Sequence, residues 1–364
     1  MKHFTFSNLP IKEFAEGIVL GIKEKISANA ETIDPIVLAI KEKLSTLLQA
    51  PPPPPRLIRE ALRSGYVISF DGTKIYWELH GPTENSTNGI DSDSANHLNP
   101  IVLCYGLVCS MNQWRAQLDH FSKSRYCLLV DYRGHHRSET PTDSKLMNVS
   151  AIAKDVAAAI REQKFSKPAH VWGHSMGCNV AIELAANEAD LVASLVLCCG
   201  TIMNPFRGMF NAQGLDRLVD PILKEYQKHP DVFHLAWRIA LAKPEISKII
   251  AGFVGFNEKA SRPEDTDAYV KAVASINPKV FFPTLLDFMK GMTAAIAPKV
   301  QTPVLVVAGA QDHVTPPAAQ KAMADTLPKS LYMEVPTGSH NVQLDFGEYV
   351  CMKAESFWAE NQLK

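Results

Sequence analysis

The sequence predicts an α/β architecture: a doubly wound, mostly parallel sheet with an inserted helical cap and an N-terminal helical extension. Three observations predict it. Short, uniformly apolar runs at Ile101–Tyr105, Tyr126–Asp131, Ala169–Trp172, Ser194–Cys198 and Pro303–Ala308 have the composition of strands buried on both faces. Helix-period stretches such as Val149–Lys164 and Asn179–Asn187 separate them, giving the βαβ alternation of a parallel sheet. Between the Ser194 and Pro303 runs lie about 100 residues, far more than one crossover helix needs.

From the N-terminus, residues 17–27 (GIVLGIKEKIS) recur almost unchanged at 35–45 (PIVLAIKEKLS), 18 residues on. That offset is five helical turns, but Asp34-Pro35 supplies an N-cap and a first-turn proline, so two short amphipathic helices are expected. Their apolar stripes are Phe14, Ile18, Ile22 and Ile26, then Val37, Ile40, Leu44 and Leu47. Pro51 to Pro55 form a stiff polyproline spacer. Charges in the extension balance, so packing on the protein's own body or self-association is favoured over peripheral membrane contact as the role of residues 1–50.

A short helical stretch is expected around Leu57–Leu62. Next, two strand-like runs, Tyr66–Phe70 and Lys74–Leu79, flank Asp71-Gly72, a hairpin signal. Residues 82–99 read as a polar loop. The expected divisions are residues 1–50 (extension), 51–55 (spacer), 56–201 with 301–364 (core) and 202–300 (helical cap). The cap stretch is rich in large apolar residues, among them Phe206, Phe233, Trp237, Phe253, Phe281, Phe282 and Phe288.

Composition narrows the partners. The 37 basic and 38 acidic residues of this 364-residue chain nearly cancel, so no general attraction to nucleic acid is expected. Seven cysteines, odd in number and without CxxC spacing, read as reduced core residues of a cytoplasmic protein. Charges interrupt the first apolar stretch, so no signal peptide is expected, and no run is long enough to span a bilayer.

The chemistry-bearing segment is Trp172-Gly173-His174-Ser175-Met176-Gly177, placed after a strand and before a helix. This is the setting a G-x-S-x-G nucleophile elbow requires, with glycines at 173 and 177 because side chains there would strike the neighbouring strand or helix. By itself the motif is weak. It gains weight from Asp312, just past the Pro303 strand, and His340, past the next, in the order Ser, Asp, His.

On these residues, residues 65–362 resemble the α/β-hydrolase superfamily, closest to capped esterases and monoacylglycerol or lysophospholipid lipases. Asp131-Tyr-Arg-Gly-His-His-Arg-Ser138 resembles the superfamily's D-x-R-G-x-G-x-S loop, with His136 in place of the second glycine. Tyr105-Gly106-Leu107 stands where the superfamily usually has His-Gly-x, the turn whose last amide helps form an oxyanion hole. The resemblance implies Ser175 as nucleophile, His340 as base, Asp312 as its orienting acid, and the amides of Met176 and Leu107 as oxyanion donors. Asp131 is the weaker alternative acid, since it precedes the nucleophile. His135, His136, His174 and His313 fit no metal-ligand spacing, so neither metal nor cofactor is expected.

The expected function is hydrolysis of a carboxylic ester of an apolar acyl or lipid-like substrate through an acyl-serine. A serine at 175 excludes dehalogenase and epoxide-hydrolase chemistry, which need aspartate there. Haloperoxidase or perhydrolase, thioesterase, carbon–carbon hydrolase and acyltransferase chemistries share the triad and stay open. From another class, a non-catalytic ligand-binding module is the alternative.

Overall fold

The computed structural model describes residues 54–82, 97–209, 215–229, 233, 255–257 and 259–362. Contacts divide the chain into two compact units, Met1–Ala50 and Pro51–Lys364. The two repeated helices expected in the first unit, most of the polyproline spacer and most of the 82–99 loop lie outside the described residues.

Eight strands form one sheet: β1 (Arg63–Ile68), β2 (Lys74–His80), β3 (Ile101–Cys104), β4 (Cys127–Val130), β5 (Ala169–His174), β6 (Val192–Cys198), β7 (Val304–Gly309) and β8 (Ser330–Val335). Their spatial order is β1-β2-β4-β3-β5-β6-β7-β8. The β1–β2 hairpin and the β2–β4 pair are antiparallel, and every later pair is parallel. The hairpin turns where Asp71-Gly72 predicts, with Gly72 at φ 85° and Ser69 N–H bonded to the Thr73 carbonyl at 2.9 Å.

Residues 57–62 form no helix. Tertiary partners outbid local propensity there. The Leu57 amide donates to Asn112 Oδ1 at 2.9 Å, the Leu62 amide donates to the Leu79 carbonyl at 2.8 Å, and Arg56 grips the buried Glu78. The segment therefore runs extended into the sheet edge.

Nine α-helices are described: α1 (Arg115–Phe121), α2 (Val149–Gln163), α3 (Met176–Asn187), α4 (Leu215–Lys228), α5 (Pro263–Ser275), α6 (Pro278–Met289), α7 (Pro317–Thr326), α8 (Val342–Asp345) and α9 (Gly347–Gln362). α2 shows why such a stretch is helical. Asn148 caps its first turn through Ala151 N–H, Lys164 ends it in the left-handed region at φ 52°, and Ile152, Val156, Ala159 and Ile160 form the buried stripe. α2 and α3 pack on each other. α1 and α9 do likewise, with Trp172 of β5 edge-on to Trp114, Phe121 and Trp358.

Strands β3 to β7 are almost wholly buried, which is why their sequences read as unbroken apolar runs. Strand order reverses between β3 and β5, which makes their carboxyl ends the topological switch point where sheets of this kind bind ligands. Helices α4, α5 and α6 occupy the long segment between β6 and β7. Among them Leu223, Tyr226, Phe282, Leu285 and Met289 form a second apolar cluster, separate from the main core. No helix among the described residues is long and apolar enough to cross a membrane.

Candidate active site

Ser175 stands between β5 and α3, just past the carboxyl end of β5, with φ 54° and ψ −122°. An L-residue holds that conformation only at a cost, here sustained by neighbours on both sides. Its amide donates to the Cys198 carbonyl at 3.0 Å, and its carbonyl accepts from Cys178 N–H at 3.0 Å. The two glycines are where the turn tolerates nothing larger. A Cβ on Gly177 would lie 2.0 Å from the Cys104 carbonyl oxygen, and one on Gly173 would lie 2.6 Å from the Cys178 backbone. Ser175 is itself partly accessible, unlike the buried residues on either side.

Asp312 and His340 meet, and the His340 carbonyl is tied to His174, the residue before Ser175. His340 Nδ1 lies 2.9 Å from Asp312 Oδ2, both side chains being almost completely buried. Since the carboxylate accepts there, Nδ1 is the donor. Asp312 is well supplied with donors: Val314 N–H and Thr315 N–H reach Oδ1 at 2.8 and 2.9 Å, and Gln320 Nε2 reaches Oδ2 at 3.0 Å. Burial alone would raise its pKa. The His340 charge and hydrogen bond, with the Thr315 bonds, outweigh burial and leave the carboxyl below its ordinary value.

Asp131, the alternative acid, is elsewhere. It faces Arg137 N–H at 3.3 Å and the Tyr105 hydroxyl at 3.5 Å, and burial raises its pKa.

His174 couples the elbow to the histidine loop. Its Nε2 donates to the His340 carbonyl at 2.8 Å, with the rings 5.0 Å apart. Burial, then repulsion by His340, lowers its pKa to about 3, so it is a neutral structural donor. The His340 loop is also tied through Ser339 to Asp345, and the His340 amide donates to the Gly255 carbonyl at 3.2 Å.

The amides of Met176 and Leu107 make no hydrogen bond to any acceptor among the described residues. Met176 opens α3, where a helix leaves its first N–H groups unspent. Leu107 is the second residue of a turn closed by Cys109 N–H on the Gly106 carbonyl at 3.2 Å, and this position's N–H is not used by the turn. Gly106 brings the turn against the elbow: a Cβ there would lie 3.0 Å from Ser175 Cβ.

Several residues that matter here carried no signal on their own. Thr315 Oγ1 sits within 2.8 Å of both Asp312 Oδ2 and the Cys199 carbonyl, and 3.4 Å from His340 Nδ1. The Asp312-x-x-Thr315 spacing, an Asx turn in which Asp312 Oδ1 accepts from the Val314 and Thr315 amides, is the signal that could have found it. Gln320 and the carbonyl-holding role of His174 had no such signal. Cys199, Asp312 and His340 present three metal-capable atoms within 4.8 Å of one another. Burial holds the Cys199 thiol far above its ordinary pKa, and Asp312 is engaged by protein donors, so the cluster fits an acid–base pair better than a cation. His135, His136 and His313 do not join it. All seven cysteines are free and buried, as the sequence predicts.

Residues 99–346 match the family described as the alpha/beta hydrolase fold. Among curated proteins, the RutD protein of Azorhizobium caulinodans, provisionally named a carbamate hydrolase, is 23% identical over 280 residues, covering 73% of this chain and 88% of that one. BODYGUARD 4 of Arabidopsis thaliana, provisionally named a lysophospholipase, is 28% identical over 137 residues, 36% of this chain and 28% of its own length. Among solved structures, an esterase from Exiguobacterium antarcticum superimposes with a TM-score of 0.63 at 18% identity, covering 80% of this chain and 98% of that chain, a likeness of fold. With the match spanning most of the sheet and its connections, the chain belongs to the alpha/beta hydrolase fold family and is a hydrolase of that fold.

Proposed function

We propose that the protein is a serine hydrolase cleaving carboxylic esters of an apolar acyl or lipid-like substrate through an acyl-serine intermediate. The observation that carries this is the Asp312–His340 contact at 2.9 Å, its histidine tied through the backbone carbonyl to His174, the neighbour of a serine held at φ 54° on a glycine-flanked turn.

In this reading His340 Nε2 takes the Ser175 hydroxyl proton as Oγ attacks the ester carbonyl carbon. The carbonyl oxygen becomes an oxyanion received by the Met176 and Leu107 amides, each such donor being worth about 3 kcal/mol. The intermediate collapses, the ester C–O bond breaks, and the proton on Nε2 passes to the leaving alkoxide. Water then gives a proton to Nε2 and attacks the acyl carbon, and the same proton returns to Ser175 as the carboxylic acid leaves. Asp312 stabilises the imidazolium and stays ionised throughout.

An apolar acyl group is supported by the aromatic and aliphatic lining of the segment between β6 and β7, where Leu107 and Phe206 pack against the second cluster. That segment acts as the cap. A serine rather than an aspartate at 175 argues against an epoxide substrate, although short stretches of the chain match epoxide hydrolases.

The test is covalent labelling by a fluorophosphonate, with wild type beside Ser175→Ala, followed by p-nitrophenyl esters and matching thioesters of increasing chain length. Labelling confined to Ser175 and turnover abolished in the variant are expected. A folded wild-type protein with unreactive Ser175 defeats the proposal in favour of a binding module. For residues 1–50 we infer a role in association, peripheral membrane contact being the alternative. Their deletion should leave Ser175 labelling unchanged and alter oligomer size on gel filtration; a shift in liposome pelleting alone would favour the membrane.

A further inference from the structure

Two positions at which this chain departs from the superfamily pattern, Tyr105 for histidine and His136 for glycine, lie against each other, with ring centroids 6.3 Å apart and planes at 71°. We propose that Tyr105 and His136 are a coupled pair of positioning residues that clamp the Tyr105–Cys109 turn and so aim the Leu107 amide at the reaction centre. The inference rests on reading Ser175 as the nucleophile.

The turn needs holding. Val108 sits at φ 58°, a strained conformation for a branched residue, and a peptide plane in such a turn can rotate to relieve it. Ties from the Asp131–Ser138 loop reach both of its ends. At the first end Tyr132 donates its hydroxyl to the Tyr105 carbonyl at 2.9 Å, and the Tyr105 hydroxyl accepts from Tyr132 N–H at 2.9 Å. At the second end His136 Nε2 lies 2.8 Å from the Cys109 carbonyl oxygen. A carbonyl only accepts, so Nε2 carries the proton and donates.

The clamp is anchored to the body of the protein. Arg133, fully buried in the same loop, makes a two-pronged contact with Asp155 of α2, both bonds at 2.7 Å. His136 is itself at φ 46°, the reason a glycine is usual there, so the chain retains a strained histidine where glycine would be strain-free. Glycine would give the backbone shape without the tie to Cys109. Misplacing an oxyanion donor by a fraction of an ångström is felt in rate before it is felt in stability.

The experiment uses the full-length protein and the rate of Ser175 phosphonylation by an alkyl fluorophosphonate, whose phosphoryl oxygen enters the same donor pair and requires no knowledge of the substrate. For His136→Gly we expect that rate to fall about 10-fold while Tm holds or rises, because glycine accepts φ 46° freely. His136→Gln, which keeps an N–H donor at similar reach, should stay within about 3-fold of wild type. With p-nitrophenyl acetate the His136→Gly loss should fall on kcat, not KM. The double variant Tyr105→His/His136→Gly, which restores the superfamily pattern, should lose less than the product of the single losses. Wild-type labelling in His136→Gly, equal losses in the Gly and Gln variants, or strictly multiplicative effects in the double overturns the clamp. If Ser175 labels in wild type and the variants match it, only this inference fails. If wild-type Ser175 does not label, the hydrolase reading fails and the clamp with it.

Discussion

His174 Nε2 donates to the carbonyl oxygen of His340 at 2.8 Å, so the residue preceding Ser175 holds the backbone of the histidine that contacts Asp312. The elbow and the histidine loop are thereby one unit, although 166 positions separate them. Replacing His174 by phenylalanine keeps a ring but leaves that carbonyl buried without its donor, a loss of about 1–3 kcal/mol. The expected result is a fall in Tm together with roughly 10-fold slower fluorophosphonate labelling, whereas His174→Gln should retain more of both. Unaltered labelling in a folded His174→Phe protein would show that the tie has no bearing on the site.

Buried neutral imidazoles make the fold sensitive to acid. Burial lowers His170 to about 3, and burial with repulsion from His136 lowers His135 to about 4, beside His174 at about 3. In the unfolded chain each titrates near its ordinary value of about 6.5, so between pH 6.5 and these values the unfolded state binds the extra protons. Each such proton costs up to about 1.4 kcal/mol of stability per pH unit as pH falls. Carboxyls raised by burial, Asp131, Asp155, Asp345 and Glu183, pull the other way. A difference measurement removes them. Urea unfolding of wild type and His170→Gln between pH 7 and 4 should show the wild type losing stability relative to the variant as pH drops. Parallel curves would mean that His170, stacked on Trp358 and bonded to Ser194, takes up its proton in the folded state.

Strain at the elbow separates stability from activity. Ser175→Gly should raise stability by about 1 kcal/mol, since glycine accepts φ 54° without penalty, while removing all labelling. Gly177→Ala should do the opposite to the fold, because its Cβ would need the 2.0 Å gap to a strand carbonyl to open. Gly72→Ala serves as the control: φ is 85°, but nothing lies within 4 Å, so only the backbone cost of about 1 kcal/mol applies. Thermal unfolding of the three proteins checks the order.

Thr315→Val preserves shape and removes the hydroxyl that touches Asp312 and the Cys199 carbonyl. Losing a bond that favours the carboxylate moves the Asp312 pKa upward, toward its ordinary value. We expect a several-fold drop in kcat on a short-chain ester with KM nearly unchanged, and a larger loss at pH 5 than at pH 8. A pH-independent loss would place Thr315 in packing alone.

How much of this was legible beforehand differs by kind of feature. Strands β3 to β7 were readable because burial on both faces demands unbroken apolar runs, and the elbow because tight backbone contact demands glycine at 173 and 177. The contact between Asp312 and His340 is foreshadowed by chain order and by their places just past strands. The sequence predicts a helix at 57–62 and the structure has none, because Asn112, Leu79 and Glu78, which are far away in sequence, set the conformation there.

The sequence by itself determined the βαβ alternation, the hairpin at Asp71-Gly72 and the residue types gathered at the site, since these depend on local periodicity and on steric limits within a few residues. Only the tertiary structure decided which acid meets His340, that His174 braces its carbonyl, and that His136 reaches Cys109. Those are relations between side chains brought together by sheet order. A hydrogen bond across 27 or 166 positions leaves no periodic trace along a single chain.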